Sequence, residues 1–272
     1  MKILISTDIE GVAGVTHVEQ TRNGNPEYER ARAWMTDEAN AAIRGAFAGG
    51  ATEVIVNDSH GGFRNLLLDR LDPRAQTITG KPRYLGMMAG VEQDCDAVYL
   101  IGYHARSQST GVLAHTINSF AFRSVRVNGA ELGEAGLYGA LAGEFGVPVA
   151  LMSGDDVFLA ETAPTFPGAI GVETKRAYGN TVCTSLAPSR ACALIEEAAR
   201  AALPHVRDLQ PYAIHGPLEC ELTTQTPGQA DLFCQWPDMQ RVDGSTLCFS
   251  AESMRSLVRK LNCLSAMSFM LR

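Results

Sequence analysis

The chain has 272 residues and a formal net charge of −7, and 46% of its residues are hydrophobic while 19% are charged. This composition is typical of a globular protein with a full core, and it excludes a disordered or fibrous chain. An acidic chain without a basic run is a poor match to nucleic acid or to an anionic membrane, so we expect neither as a partner.

Apolar runs along the chain have the length of strands. Met1–Ser6 is too short for a signal peptide, and no run approaches the ~20 apolar residues that cross a bilayer. The seven cysteines are an odd number and include no Cys-x-x-Cys pair. These features predict a cytoplasmic protein with reduced thiols, rather than a disulfide framework or a zinc site made of thiolates.

Strand-like and helix-like stretches alternate through the first two thirds of the chain. Apolar positions recur at helical spacing in Glu29–Phe47, and Asp96–Gly102 is apolar almost throughout, as in a strand buried on both faces. The predicted elements are Lys2–Thr7, Glu29–Phe47, Glu53–Val56, Asp96–Gly102, Phe122–Val127, Leu132–Phe145, Val147–Met152 and Pro188–Leu203. The alternation predicts an α/β fold with a mostly parallel sheet that helices cover on both faces.

The last third of the chain has a different pattern. Its predicted elements are the strands Leu218–Gln225, Met239–Val242 and Ser245–Phe249 and the terminal amphipathic helix Met254–Met267. We therefore expect a division into an α/β domain over residues 1–205 and a smaller α+β C-terminal subdomain over residues 206–272.

Acidic and histidine side chains follow three of the predicted strands. Asp8 and Glu10 come after the first strand, His60 follows the second, and His104 follows the strand that ends at Gly102. Ligands bind beyond the carboxyl ends of parallel strands, and residues two apart on an extended chain point to the same side. Glu134 adds a further carboxylate at the start of a helix. We expect these five residues at one edge of the sheet, within the domain over residues 1–205.

Three carboxylates and two imidazoles form a set of hard and borderline ligands. Zinc suits this set best, and manganese or cobalt also fit. Five side chains exceed the needs of one tetrahedral zinc but suit two ions about 3.5–4 Å apart that share a carboxylate, for which Asp8 is the natural bridge. Each group taken alone has a simpler interpretation: a carboxylate in a solvated turn, an ordinary histidine, or an acidic residue favoured at a helix start.

His115 lies eleven positions after His104, beyond a loop rich in glycine and serine that is able to fold over the site. Its functional interpretation is proton transfer or stabilisation of a developing oxyanion, and the alternative is an ordinary loop histidine. Asn57 and Asp58 are placed to orient His60 and Asp8. Structural roles are expected for three other histidines, His17, His205 and His215.

Several familiar motifs are missing from the chain. It has no Gly-x-Gly-x-x-Gly after a strand, no Gly-x-x-x-x-Gly-Lys-Ser/Thr, no Gly-x-Ser-x-Gly and no His-Glu-x-x-His. These absences disfavour nucleotide phosphate binding and serine-hydrolase chemistry. After the strand Val147–Met152, Asp155 and Asp156 are expected to cap a helix, with contact to the site as the alternative.

Five short motifs occur in order along the chain. They are Asp8-x-Glu10-Gly11, Met35-Thr36-x-Glu38-Ala39-Asn40, Val56-Asn57-Asp58-Ser59-His60, Gly102-Tyr103-His104-Ala105-Arg106 and Gly133-Glu134-x-Gly136-Leu137. With them the chain resembles, over essentially its whole length, the D-aminopeptidase family of binuclear zinc peptidases encoded in bacterial dipeptide-transport operons. The sequence departs from the family pattern in Thr16–Asn25, in Asn118–Ser124 and after about Thr162.

The resemblance implies an aminopeptidase that releases N-terminal residues, including D-residues, from short peptides or amino acid amides with the help of a metal-bridging water. It implies a catalytic His115, two zinc ions per subunit, and a ring-like homo-oligomer whose sites face an inner channel. The implied metal ligands are Asp8, Glu10, His60, His104 and Glu134. Two alternatives stay open: a two-metal phosphoesterase, which the lack of a basic cluster near the site weakens, and a non-catalytic oligomeric binding protein with the same fold.

Overall fold

The computed structural model describes residues 1–272, and its strands form two sheets. The strands are β1 (Lys2–Thr7), β2 (Glu53–Asp58), β3 (Gln76–Ile78), β4 (Ala97–Ile101), β5 (Phe122–Val127), β6 (Ala130–Glu131), β7 (Val149–Asp155), β8 (Ile170–Gly179), β9 (Val182–Ser185), β10 (Leu218–Thr224), β11 (Gln240–Arg241) and β12 (Thr246–Ala251). The α-helices are α1 (Pro26–Ala48), α2 (Glu134–Glu144), α3 (Asp156–Thr162), α4 (Pro188–Ala202), α5 (Pro227–Phe233) and α6 (Met254–Met267).

The larger sheet has seven strands in the order β3-β2-β1-β4-β7-β8-β9. Its neighbours are parallel except for the last pair, β8 and β9. Ile5 of β1 lies beside Val56 of β2 and Tyr99 of β4, so these three strands end at the same edge. The predicted α/β fold with a mostly parallel sheet is confirmed.

Both faces of the parallel sheet are covered. Ile3 and Ile5 pack into one apolar core together with α1 and α4, while Leu4 packs into a second core with α2, α6 and the smaller sheet. Side chains alternate between the faces of a strand, so a strand that is buried on both faces must be apolar at every position. This explains the apolar run Ile3–Ile5 in β1 and the unbroken apolar sequence of β4.

The smaller sheet is antiparallel, with the strand order β11-β12-β10-β5-β6. In it Cys220 of β10 lies between Val127 of β5 and Phe249 of β12. Strands from both sides of residue 205 therefore share this sheet, and the predicted division of the chain at that residue stays a prediction. None of the helices has the length and hydrophobicity needed to cross a bilayer.

Several boundaries and elements differ from those predicted. Helix α1 begins at Pro26 rather than Glu29, because Asn25 accepts a hydrogen bond from the Glu27 backbone N–H at 2.9 Å and proline suits the first helical position. Strands β3, β6, β8 and β9 and helix α5 were not predicted, and α3 was predicted only as a helix capped by Asp155 or Asp156. In β8 the three charged residues of Glu173–Arg176 hide the strand, although Lys175 within it is buried.

Candidate active site

The loop after β1 crosses directly over the segment after β4. The Asp8 backbone N–H donates to the Ile101 carbonyl at 2.8 Å, and that of Gly11 donates to the Gly102 carbonyl at 2.7 Å. A Cβ at position 11 would lie 1.9 Å from the carbonyl oxygen of Tyr103, so only glycine permits this approach. The close crossing brings Asp8 next to the side chain of His104.

The five side chains predicted at this edge lie together, with Asp8 at their centre. His60 Nδ1 is 3.3 Å from Asp8 Oδ1 and 3.0 Å from Glu10 Oε2. On the other side, His104 Nε2 is 3.4 Å from Asp8 Oδ2 and 3.5 Å from Glu134 Oε1. The two oxygens of one carboxylate therefore face two separate groups of ligand atoms, as the proposed bridging role of Asp8 requires.

Backbone carbonyls hold one nitrogen of each imidazole in this cluster. His60 Nε2 is 2.9 Å from the Thr21 carbonyl oxygen, and His104 Nδ1 is 3.0 Å from that of Ala105. Because a carbonyl oxygen only accepts, the nitrogen beside it carries the proton. The other nitrogen of each neutral ring then presents a lone pair to the carboxylates, an arrangement that needs a cation or a proton between them.

The pKa values of the cluster also indicate that positive charge is favoured between the carboxylates and the imidazoles. Burial by itself lowers the pKa of His60 and His104, but the facing carboxylates outweigh it and raise both pKa values well above the ordinary range. Burial likewise opposes ionisation of Glu10 and Glu134, yet the nearby imidazoles lower the pKa of both carboxyls. Positive charge at this point is therefore strongly favoured.

The donor set fits divalent metal ions. Glu10 Oε2 and His104 Nε2 are buried and have no hydrogen-bond partner. Ligand atoms of Asp8, Glu10 and His104 lie within 4.8 Å of one another, and so do those of His104, His115 and Glu134. Carboxylate oxygens and imidazole nitrogens at such spacing are the ligands that zinc takes in proteins.

His115 joins the cluster from the loop between β4 and β5. Its Nδ1 lies 3.0 Å from the Leu113 carbonyl oxygen and its Nε2 lies 3.5 Å from Glu134 Oε1. The loop is fixed by Asp155, whose carboxylate accepts from the Val112 backbone N–H at 2.6 Å and from the Phe158 N–H at 2.7 Å. Asp155 thus caps α3, as expected, and also anchors the segment that carries His115.

The remaining histidines lie outside this cluster. His17 Nδ1 accepts from the Glu19 backbone N–H at 3.3 Å at the start of the short 3₁₀ helix Val18–Thr21. His205 and His215 are exposed.

Asp58 and Asn57 act differently from the prediction. Asp58 accepts from the Asn65 backbone and side-chain N–H groups at 2.5 and 2.6 Å, and Asn57 donates to the Ala89 carbonyl at 2.8 Å. Neither side chain contacts His60 or Asp8 in these bonds. Asp58 instead shapes the loop that carries His60, because Asn65 also donates to the His60 carbonyl at 2.7 Å.

Lys175 is a supporting residue that the sequence did not reveal. Its buried ammonium group donates to the carbonyls of Glu10, Val12 and Val15 at 2.5, 3.0 and 2.5 Å. All three of its N–H donors are thereby used on the loop that follows Asp8. Burial lowers the pKa of Lys175 to about 8, so the group is still mostly charged at neutral pH. A lysine among other charged residues is typical of a solvated segment, so no sequence signal marked it.

A cleft of about 1210 Å³ opens above the cluster. Four basic residues from three segments of the chain line it, Arg22, Lys81, Arg83 and Arg272. The expectation that no basic cluster lies near the site is therefore wrong, because the fold gathers residues that are far apart in sequence.

The comparisons with known proteins identify the family of the chain. A family profile described as D-aminopeptidase matches residues 1–263. A D-aminopeptidase of Bacillus subtilis (strain 168) is 32% identical over 255 residues, which are 93% of each chain. The solved structure of DppA from Bacillus subtilis, described as a Zn-dependent D-aminopeptidase and a self-compartmentalizing protease, superposes with a TM-score of 0.95 at 29% identity, covering 99% of this chain and 98% of that one. This chain belongs to the D-aminopeptidase family.

Proposed function

We propose that the protein is a zinc-dependent aminopeptidase that hydrolyses the N-terminal amide bond of short peptides or amino acid amides. One observation carries this proposal. In His60 and His104 one ring nitrogen is held by a backbone carbonyl, and the other ring nitrogen faces the buried carboxylates. Membership of the D-aminopeptidase family and the zinc dependence of the related DppA support it.

We assign five residues as metal ligands, Asp8, Glu10, His60, His104 and Glu134. Glu10, His60 and Asp8 would hold one ion, and His104, Glu134 and Asp8 would hold a second. Bound divalent ions supply Lewis acidity to a carbonyl group and lower the pKa of water from 15.7 to about 7.

His115 is the residue to which we assign proton transfer in this reaction. Its Nδ1–H is engaged by the Leu113 carbonyl, so its Nε2 is the atom that exchanges a proton with the substrate. The side chain is 19% exposed and lines the cleft, which gives a bound peptide access to it. A protonated Nε2 stabilises the negative charge that develops on the scissile carbonyl oxygen.

Assembly into a ring-like homo-oligomer is part of the proposal. The related DppA is described as self-compartmentalizing. In this chain the β8–β9 hairpin presents apolar Tyr178 and Val182, which are 69% and 57% exposed. We take these two exposed side chains of one hairpin as the candidate contact with a second copy of the chain. Sedimentation equilibrium tests the assembly, and a purely monomeric protein would contradict it.

The function is tested by hydrolysis of paired D- and L-aminoacyl amides. We expect amidase activity that a chelator abolishes and that zinc or manganese restores. Phosphate monoesters assayed in parallel test the phosphoesterase alternative, and preferential hydrolysis of those esters would replace the proposal. Elemental analysis that finds far less than one metal ion per chain would favour a non-catalytic binding protein instead.

A further inference from the structure

Charge is divided unevenly within the cleft. The three carboxylates that line it, Asp8, Glu10 and Glu134, all belong to the metal cluster. The other charged side chains of its wall are the four cationic ones. The cleft wall therefore carries negative charge only in the metal cluster, and its remaining charged side chains are positive.

Three of the four cations have no acidic partner, namely Lys81, Arg83 and Arg272, and Lys81 and Arg83 are close neighbours in the chain. Arg22 forms an ion pair with Glu19 at 3.1 Å, which neutralises it. Lys81 and Arg83 form no ion pair with any carboxylate of the chain within 4.0 Å. Two neighbouring unpaired cations form a site with an electrostatic preference for an anion.

The ring of Phe63 supports both cations. Lys81 Nζ lies 5.1 Å and Arg83 Cζ lies 4.0 Å from its centroid. The Phe63 carbonyl accepts from the Thr79 hydroxyl at 2.7 Å, which joins the segment of the two cations to the Phe63 backbone. The Phe63 N–H in turn donates to the His60 carbonyl at 2.8 Å. The cation pair is thus fixed to the same loop as a proposed metal ligand.

Arg83 is held in place by the backbone as well. Its guanidinium group donates to the carbonyls of Asp58 and Ile78, while its Nε is buried without a partner. Burial lowers the pKa of Arg83 to about 10, and removal from water together with the charge of Arg83 lowers that of Lys81. Both groups are charged at neutral pH, and a bound anion would relieve their mutual repulsion.

We propose that Lys81 and Arg83 form a subsite for the free C-terminal carboxylate of a short peptide substrate. The inference rests on the proposed aminopeptidase function. In a dipeptide the carboxylate belongs to the residue that follows the scissile bond, and successive Cα atoms are only about 3.8 Å apart. A dipeptide cleaved at the metal cluster therefore carries its one anion into the adjacent part of the cleft. This subsite would make the enzyme prefer short peptides that have a free carboxylate.

The test compares alanylalanine with alanylalanine amide, each with the N-terminal configuration that the enzyme hydrolyses faster. We expect the wild-type protein to have a higher kcat/KM for the free acid than for the amide. In Lys81→Gln the ratio of these two constants should fall about tenfold or more, as for loss of a hydrogen bond to a charged group. Lys81→Glu should lower the ratio further, because it places a like charge beside the carboxylate.

Arg22→Gln is the matched control, since it removes a cation of the same cleft that already has a carboxylate partner. In this variant the ratio of kcat/KM for the free acid to kcat/KM for the amide should stay near the wild-type value. Metal content and thermal unfolding show whether each variant is folded. Equal kcat/KM for acid and amide in the wild type, or an unchanged ratio in Lys81→Gln, would overturn the subsite. If neither alanylalanine nor its amide is hydrolysed, the proposed function fails. The subsite is then tested by calorimetry, which measures the dissociation constants of the two intact compounds. A ratio of these constants that favours the free acid in the wild type and falls in Lys81→Gln would support the subsite, and equal constants or an unchanged ratio would overturn it.

Discussion

The imidazole of His115 lies parallel to that of His104, with ring centroids 4.1 Å apart and an interplanar angle of 11°. Glu134 Oε1 lies 3.5 Å from the Nε2 atoms of both rings. The same oxygen also accepts from the Ile117 backbone N–H at 2.6 Å, so the loop of His115 is tied to the cluster through Glu134. His104, a proposed metal ligand, and His115, the proposed catalytic group, therefore both face the carboxylate of Glu134.

This arrangement allows the two roles to be separated by mutation. His115→Ala should retain its metal and lose about 10²- to 10⁴-fold in kcat, the range that is typical for removal of a general acid or base. The measurements are elemental analysis and turnover of an aminoacyl amide. Wild-type turnover would show that His115 is not catalytic, and loss of half the metal would show that it is a ligand.

The two ligand groups around Asp8 predict different metal contents for single variants. Glu10→Gln should lose the ion on the His60 side and retain the other, because Glu134 and His104 are unchanged. Asp8→Asn should lose both ions, since each oxygen of its carboxylate serves one group. Metal-to-protein ratios of two, one and zero for wild type, Glu10→Gln and Asp8→Asn would be measured by mass spectrometry of native protein. Equal metal loss in both variants would contradict a bridging Asp8.

Lys175 should control how firmly the metal is held. Lys175→Met leaves the buried carbonyls of Glu10 and Val15 without a donor, while that of Val12 keeps the Val15 backbone N–H. Each unpaired group costs about 1–3 kcal/mol. We expect a lower free energy of unfolding and a larger zinc dissociation constant, because the loop that carries Asp8 and Glu10 is no longer held by the ammonium group.

The neighbouring exposed Arg176 provides the control for this experiment. Its side chain pairs with Glu173 at the surface, so Arg176→Met should change neither the unfolding free energy nor zinc affinity appreciably. Chelator competition gives the zinc affinities. The anchoring role is wrong if Lys175→Met binds zinc as tightly as Arg176→Met does.

Glu38 should make stability depend on pH. Its buried carboxyl accepts from the Ala13 N–H at 2.9 Å, and burial raises its pKa from 4.5 to about 7 despite that bond and the charge of Lys175. Between these two pH values the unfolded chain releases the proton while the folded protein keeps it. The free energy of unfolding therefore falls as pH rises, by about 3 kcal/mol at most for this one group.

Glu38→Gln removes this titration while keeping an acceptor for Ala13. The difference in unfolding free energy between variant and wild type should shift in favour of the variant from pH 5 to pH 8. Urea titrations of both zinc-loaded proteins at the two pH values measure this difference. A constant difference would mean that Glu38 is ionised throughout and that its raised pKa is wrong.

The positions of the proposed metal ligands could be predicted from sequence because a simple topological rule governs them. Asp8, His60 and His104 follow adjacent parallel strands, and such strands must end at one edge. The contact between His115 and Glu134 could not be predicted, because it depends on the path of a loop fixed by Asp155 from β7.

The supporting residues were hidden for different physical reasons. Lys175 has the sequence surroundings of a solvated lysine, and only the tertiary fold supplies the carbonyls that allow its burial. Lys81 and Arg83 are a short basic pair that carries no signal alone, and the fold sets them beside Phe63 from the loop of His60. Such long-range partners have no fixed spacing in the chain.

The antiparallel sheet has a consequence for any attempt to produce the metal-binding part as a fragment. Strand β5, which precedes Glu134 by only a few residues, pairs along one side with β10 from the far end of the chain. A polypeptide cut at residue 205 would leave that side of β5 open to intermolecular pairing and expose the apolar face that α6 covers. Such a fragment should aggregate, so a library of shortened variants would have to begin from the intact chain.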